Sequence, residues 1–182
     1  MHRFTRMMAA NLAIVLADVM GVAVASLASA SVGGPSTAQG ATPRRVVDDV
    51  PISSNDFSNP TEVTNLLAPI STLAYVAAAG KEKGRPRGYE VTLSPDTKTI
   101  SSDGGATGMV VARDDAVLDG ELIETAYDWF PQDDAGNLWY FGENVTNYEH
   151  GQIKDDEDLR ATGIDGPPGM IMAAHPKLGD VF

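Results

Sequence analysis

Asp119-Gly120-Glu121-Leu122-Ile123-Glu124-Thr125-Ala126-Tyr127-Asp128-Trp129-Phe130 is the stretch that decides the fold class. Asp-Gly is the sequence signature of a type I′ hairpin turn, which needs two consecutive residues at positive φ. The run after it has a period of two. Ile123, Thr125, Tyr127 and Trp129 fall on one face of a strand, and Glu124 and Asp128 on the other. The same grammar recurs on both sides. Downstream, Asp133-Asp134-Ala135-Gly136-Asn137 reads as a longer hairpin loop, and Leu138-Trp139-Tyr140-Phe141 as the next strand. His150-Gly151 reads as a tight turn and Met170-Ile171-Met172 as a last short strand. Upstream, Gly88 to Leu93 alternates and should end at Pro95. Thr97 to Ile100 follows, then the turn Asp103-Gly104-Gly105, then a strand at Met109 to Ala112. Leu73 to Ala78 reads as a strand, with the alanines at 74, 77, 78 and 79 leaving a helical turn open. Sequential hairpins without a sequence repeat predict a mostly β chain. The expected form is a single antiparallel meander, a curved sheet or half-barrel, with a disordered N-terminal tail.

Three segments follow from composition. Residues 1–30 read as a signal peptide: His2, Arg3 and Arg6 lead an apolar run from Ala9 to Ala28, and Ala28-Ser29-Ala30 supplies the small residues of a cleavage site. A retained membrane anchor is the alternative. Asp18 counts against it, because a charge at mid-bilayer costs a few kcal/mol. Residues 31–58 have no period that could bury anything, so they read as a disordered tail. Residues 59–182 form the β-rich domain.

The chain has 182 residues, no cysteine and a formal net charge of −12. Without cysteine there is no disulfide scaffold, thiol nucleophile or lipid-modified N-terminal cysteine. The negative charge argues against nucleic acid as a main partner. The charge is lopsided: Ser31 to Arg113 carries eight acidic and eight basic residues, whereas Asp114 to Phe182 carries sixteen acidic and three basic. That half reads as a solvated acidic face, or as a cation-binding surface.

Candidates for chemistry are few. Asp133 and Asn137, with Glu143 beyond, offer oxygens on a turn, as calcium sites do, although Ala135 stands where a further acid is expected. Asp155-Asp156-Glu157-Asp158 reads as a solvated loop. His150 and His175, beside Glu149 and Asp180, could serve a hydrolase or hold a metal, but no spacing motif joins them. Lys81, Lys83, Arg85 and Arg87 form a basic group that reads as a flexible hairpin loop. There is no G-x-S-x-G elbow, phosphate loop or dinucleotide fingerprint. The aromatic residues Tyr127, Trp129, Trp139 and Phe141 are the strongest candidates. They form either a core with one covered face or the wall of an apolar ligand pocket.

The stretch Asp128-Trp129-Phe130-Pro131-Gln132-Asp133-Asp134-Ala135-Gly136-Asn137-Leu138-Trp139-Tyr140-Phe141-Gly142-Glu143 resembles the D-W-[YF]-A-Q-D-x-x-G-N-V-W-Y-F-G-E segment of a group of secreted bacterial proteins of uncharacterised function. Asp119-Gly120-Glu121-Leu122, Tyr148-Glu149-His150-Gly151, Gly163-Ile164-Asp165-Gly166, Pro168-Gly169-Met170-Ile171-Met172 and the stretch Ala174 to Asp180 are similar to further pieces of it. The resemblance covers about Asp119 to Asp180 and implies a secreted or periplasmic β-rich domain. It carries over no catalytic residues. Ile70 and Leu73 stand where the group has a turn glycine and a tryptophan. Members of the group are expected to continue through further strands beyond the point matching Phe182. Losing those strands would expose a sheet edge through which two copies could pair. The reading that results is an exported, non-catalytic binding or structural protein, holding an apolar ligand on a curved sheet and using no cofactor. The alternatives are a calcium-binding cell-surface module and a hydrolase using His150 and His175.

Overall fold

A computed structural model describes residues 45–46, 52–72, 74–102, 105–161, 167–178 and 180–181. The signal-peptide reading at 1–30, most of the tail at 31–58, the turn at Asp103-Gly104 and the piece Gly163 to Gly166 lie outside these residues. Among the described residues ten strands follow in order: β1 (Arg45–Val46), β2 (Tyr75–Glu82), β3 (Arg85–Ser102), β4 (Gly105–Leu118), β5 (Glu121–Phe130), β6 (Leu138–Tyr140), β7 (Gly142–Glu149), β8 (Gln152–Ala161), β9 (Gly169–Met172) and β10 (Asp180–Val181). The chain is mostly β. Six strands form one antiparallel sheet in the order β2-β3-β4-β5-β7-β8, a meander that does not close into a barrel. β6 pairs with β9, and β1 pairs in parallel with β10.

Three of the hairpins turn on two residues at positive φ: Lys83 and Gly84 (51° and 84°), Asp119 and Gly120 (53° and 85°), His150 and Gly151 (53° and 74°). This geometry matches the right-handed twist of the strands that it joins. The basic group therefore straddles a tight turn, with Lys81 on β2 and Arg85 and Arg87 on β3. The alanine-rich stretch is strand, not helix. Pro95 does not end its strand. β3 runs through it, and the β3–β4 register shifts between Leu93 and Thr97. A proline has no N–H to give to a ladder, and an irregularity is where none is required. Asp155 to Asp158 lie within β8 rather than in a loop.

The sheet is buried on both sides at one end. Val76, Val91, Val110, Ala112 and Phe130 face one core, completed by Val63, Ala68 and Ile70 from the segment before β2. Met109, Val111 and Trp129 face the other, completed by Phe57 and Met170. β6 and the residue after it divide between the two: Leu138 and Tyr140 enter the first core, Trp139 and Phe141 the second. That double burial explains why Leu-Trp-Tyr-Phe is apolar throughout rather than alternating. It also explains why β6 stands out of the meander, where it pairs with β9 while β5 pairs directly with β7. Each large side chain so buried contributes roughly 2–3 kcal/mol, more than any one turn. Residues 52–58, which composition assigns to the tail, carry a 3-10 turn at Ser54–Asp56 with a Ser53 capping box, and Phe57 lies in the second core.

Candidate functional site

The most polar part of the stretch from Asp128 to Glu143 is a loop, and its side chains hold the fold together. Asp133 is nearly buried. Its Oδ1 accepts the Asn137 backbone N–H at 2.8 Å, and its Oδ2 accepts from Asn137 Nδ2 at 2.8 Å and from Trp139 Nε1 at 2.9 Å. Asn137 Oδ1 in turn accepts the Ala174 N–H at 2.9 Å, which ties the loop to the segment after β9. Gln132 Oε1 accepts the N–H groups of Thr64 and Asn65 at 2.8 Å each, and Gln132 Nε2 donates to Thr64 Oγ1 at 2.9 Å. Asn65 Nδ2 donates to the Gly136 carbonyl at 2.9 Å. Asp134 accepts from the Ser58 N–H and hydroxyl at 2.8 and 2.7 Å, and these bonds hold its carboxyl below the usual aspartate range. Gly136 has φ of 86°, and a Cβ there would stand 3.2 Å from that of Ala174. Loop 132–137 therefore joins three separate stretches of chain.

The residues offered for calcium divide. Asp133 and Asn137 are together, but bonded to each other and to backbone. Glu143 is on β7, directly opposite Asp128 of β5, and its carboxyl hydrogen-bonds to that of Asp128. Among the described residues, no group of three or more His, Asp or Glu is arranged to hold a metal ion. Asp133 already accepts three N–H donors, so the melting temperature is expected to stay constant across a calcium-to-chelator series. A rise with calcium would show that the loop can re-form around the ion.

The aromatic candidates also divide. Trp129, Trp139 and Phe141 are sealed in the second core. Phe57 stands edge-on to Phe141 with ring centroids 5.5 Å apart, and Lys98 Nζ lies 4.8 Å from the centre of the Trp129 ring. Tyr127 is outside this group, 39% exposed, opposite Arg113 of β4. His150 and His175 are both exposed, one in the β7–β8 turn and the other after β9.

The sequence reading missed a buried acidic group on the other face of the sheet. Asp128 is 4% exposed and Glu143 2% exposed. Asp114 lies on the same face, opposite Ala126, with its Oδ1 buried and unbonded. Burial, then the charges of Glu143, Asp114 and Glu124, push the Asp128 carboxyl well above the usual range. Burial, with Asp115 and Glu143 against a partial counterweight from Arg87, pushes Asp114 up to about 6. A hydrogen bond between two carboxyls requires a proton on one of them, so this group favours a protonated state. A sequence signal existed. Val110, Ala112 and Ala116 share a strand face with Asp114, and Ala126 and Phe130 share one with Asp128.

Comparison with protein-family models, with curated proteins and with solved structures finds no match to this chain.

Proposed function

We propose that this chain is an exported, non-catalytic protein of the structural or protein-binding kind, akin to the secreted bacterial group its motif resembles. One observation carries the reading. The distinctive polar and aromatic residues of the motif, from Gln132 and Asp133 to Trp139 and Phe141, are engaged in folding the chain on itself. Side chains occupied in this way serve a scaffold rather than a reaction. An apolar ligand at Trp129 and Trp139 would have to displace Phe57 or Met170 from the second core. What the sheet leaves for a partner is its open surface, around Tyr127 and Arg113.

The test is tryptophan emission during titration with oleate and with phosphatidylcholine–phosphatidylglycerol vesicles. Both tryptophans are expected to keep their emission maximum and their shielding from acrylamide. A saturable shift would overturn the scaffold reading in favour of an apolar carrier.

A further inference from the structure

The two outer strands of the six-stranded sheet are β2 and β8, and they are not equally protected. An open edge presents unpaired N–H and C=O groups, and proteins guard such edges with charges, prolines or bulges. β8 carries Lys154 and then four consecutive acids, Asp155 to Asp158, and its pairing with β7 shifts register twice. β2 has none of these devices from Tyr75 to Gly80. Its eight residues pair with β3 in unbroken register, from Tyr75 opposite Thr92 to Glu82 opposite Arg85. Among the described residues no other element pairs with its outer side. Tyr75 is 55% exposed, and Ala77, Ala79 and Gly80 are exposed.

We propose that the β2 edge pairs antiparallel with the β2 edge of a second copy of this chain, about a two-fold axis perpendicular to the sheet. β2 is self-complementary in that arrangement. With Ala78 against Ala78, Ala77 meets Ala79, Val76 meets Gly80, and Tyr75 meets Lys81. Every pair falls on one face, small residues oppose small ones, and an aromatic ring opposes a cation. No like charges face each other. The same symmetry operation on β8 would set its acids against themselves. Joining β2 to the β8 of another copy would leave the same two edges free again, so it would grow without limit. The two-fold pair closes, leaving a twelve-stranded sheet bounded on both sides by acidic β8. This goes beyond the scaffold reading and does not depend on it.

The experiment is sedimentation of the protein recovered from an export-competent host, at micromolar concentration. The wild type is expected to sediment as a dimer. Ala77→Lys with Ala79→Lys adds charge at two exposed positions, so its near-UV circular dichroism should match the wild type. Its self-association should be weaker by about tenfold or more, because four lysines then oppose one another. Ile153→Lys on β8 should leave the dimer intact. A monomeric wild type, an open-ended series of oligomers, or a dimer that survives the β2 substitutions but not Ile153→Lys would each overturn the proposal.

Discussion

Replacing Asp128 with asparagine is expected to raise stability at pH 8 and to leave it nearly unchanged at pH 4. The Asp128 carboxyl lies 4% exposed, directly across the β5–β7 ladder from Glu143, which is 2% exposed. Further acids act on this pair: Asp114 comes from β4 and Glu124 from β5 itself. Arg87 of β3 reaches toward Asp114, but it also bonds Glu82 at 2.9 Å and lies over the Tyr89 ring. Folding raises the pKa of Asp128 and of Asp114 above the unfolded value of 3.8. The folded state therefore binds more protons than the unfolded chain across that window. The stabilisation this brings is complete below about pH 4. It declines as pH rises, for Asp114 through about 6 and for Asp128 through its own raised value. An asparagine at 128 keeps the shape and donates to Glu143 without needing a proton. Its gain at pH 8 should be about 1–2 kcal/mol, or roughly 3–8 °C in melting temperature. Thermal unfolding at pH 4, 6 and 8 checks this. A variant that is less stable than wild type at all three values would mean that the carboxyl pair contributes net stability at neutral pH.

Parts of this arrangement were legible in the residues and parts were not, for a common reason. Asp119-Gly120 and His150-Gly151 announce their turns because positive φ is a local demand that few residue types meet. The alternation from Ile123 to Trp129 announces a strand because a side chain's face is set by the backbone alone. Pairing is different. Leu138 to Tyr140 is buried on both sides, so its pattern carries no face, and nothing local shows that its ladder partner is β9. Alternation puts Asp128 on the side of its strand away from Trp129, which is the side it occupies. What alternation cannot say is whether that side meets water. Asp133 and Asn137 pose the same difficulty in chemistry: oxygens on a turn suit a cation or a set of N–H donors equally. Only the positions of Trp139 and Ala174 decide it.

Removing the Asp133 carboxylate should have the largest effect of any change to the motif loop. Asp133→Ala leaves three donors without their acceptor: the Asn137 N–H, the Asn137 side-chain amide and the Trp139 indole N–H. Hydrogen bonds to a charged acceptor contribute about 1.5–3 kcal/mol each, and orphaned buried donors add desolvation, so a loss of about 3–5 kcal/mol is expected in urea unfolding. Asp133→Asn should fall between, because an amide offers one acceptor where the carboxylate offers two. Trp139→Phe alone removes one donor and should cost less, about 1–2 kcal/mol. Combined with Asp133→Ala it should cost less than the sum, since the indole has then already lost its partner. The double-mutant cycle thus isolates a bond that a ligand-binding aspartate would have no reason to make. Strict additivity would break the link between Asp133 and Trp139. Should Asp133→Ala fail to fold, the Asp133→Asn and Trp139→Phe pair carries the same cycle with smaller numbers. Were Asp133 a cation ligand, its loss would matter only when the cation is present. As the acceptor that fastens the loop to Trp139 and, through Asn137, to the segment after β9, its loss should cost the same in calcium and in chelator.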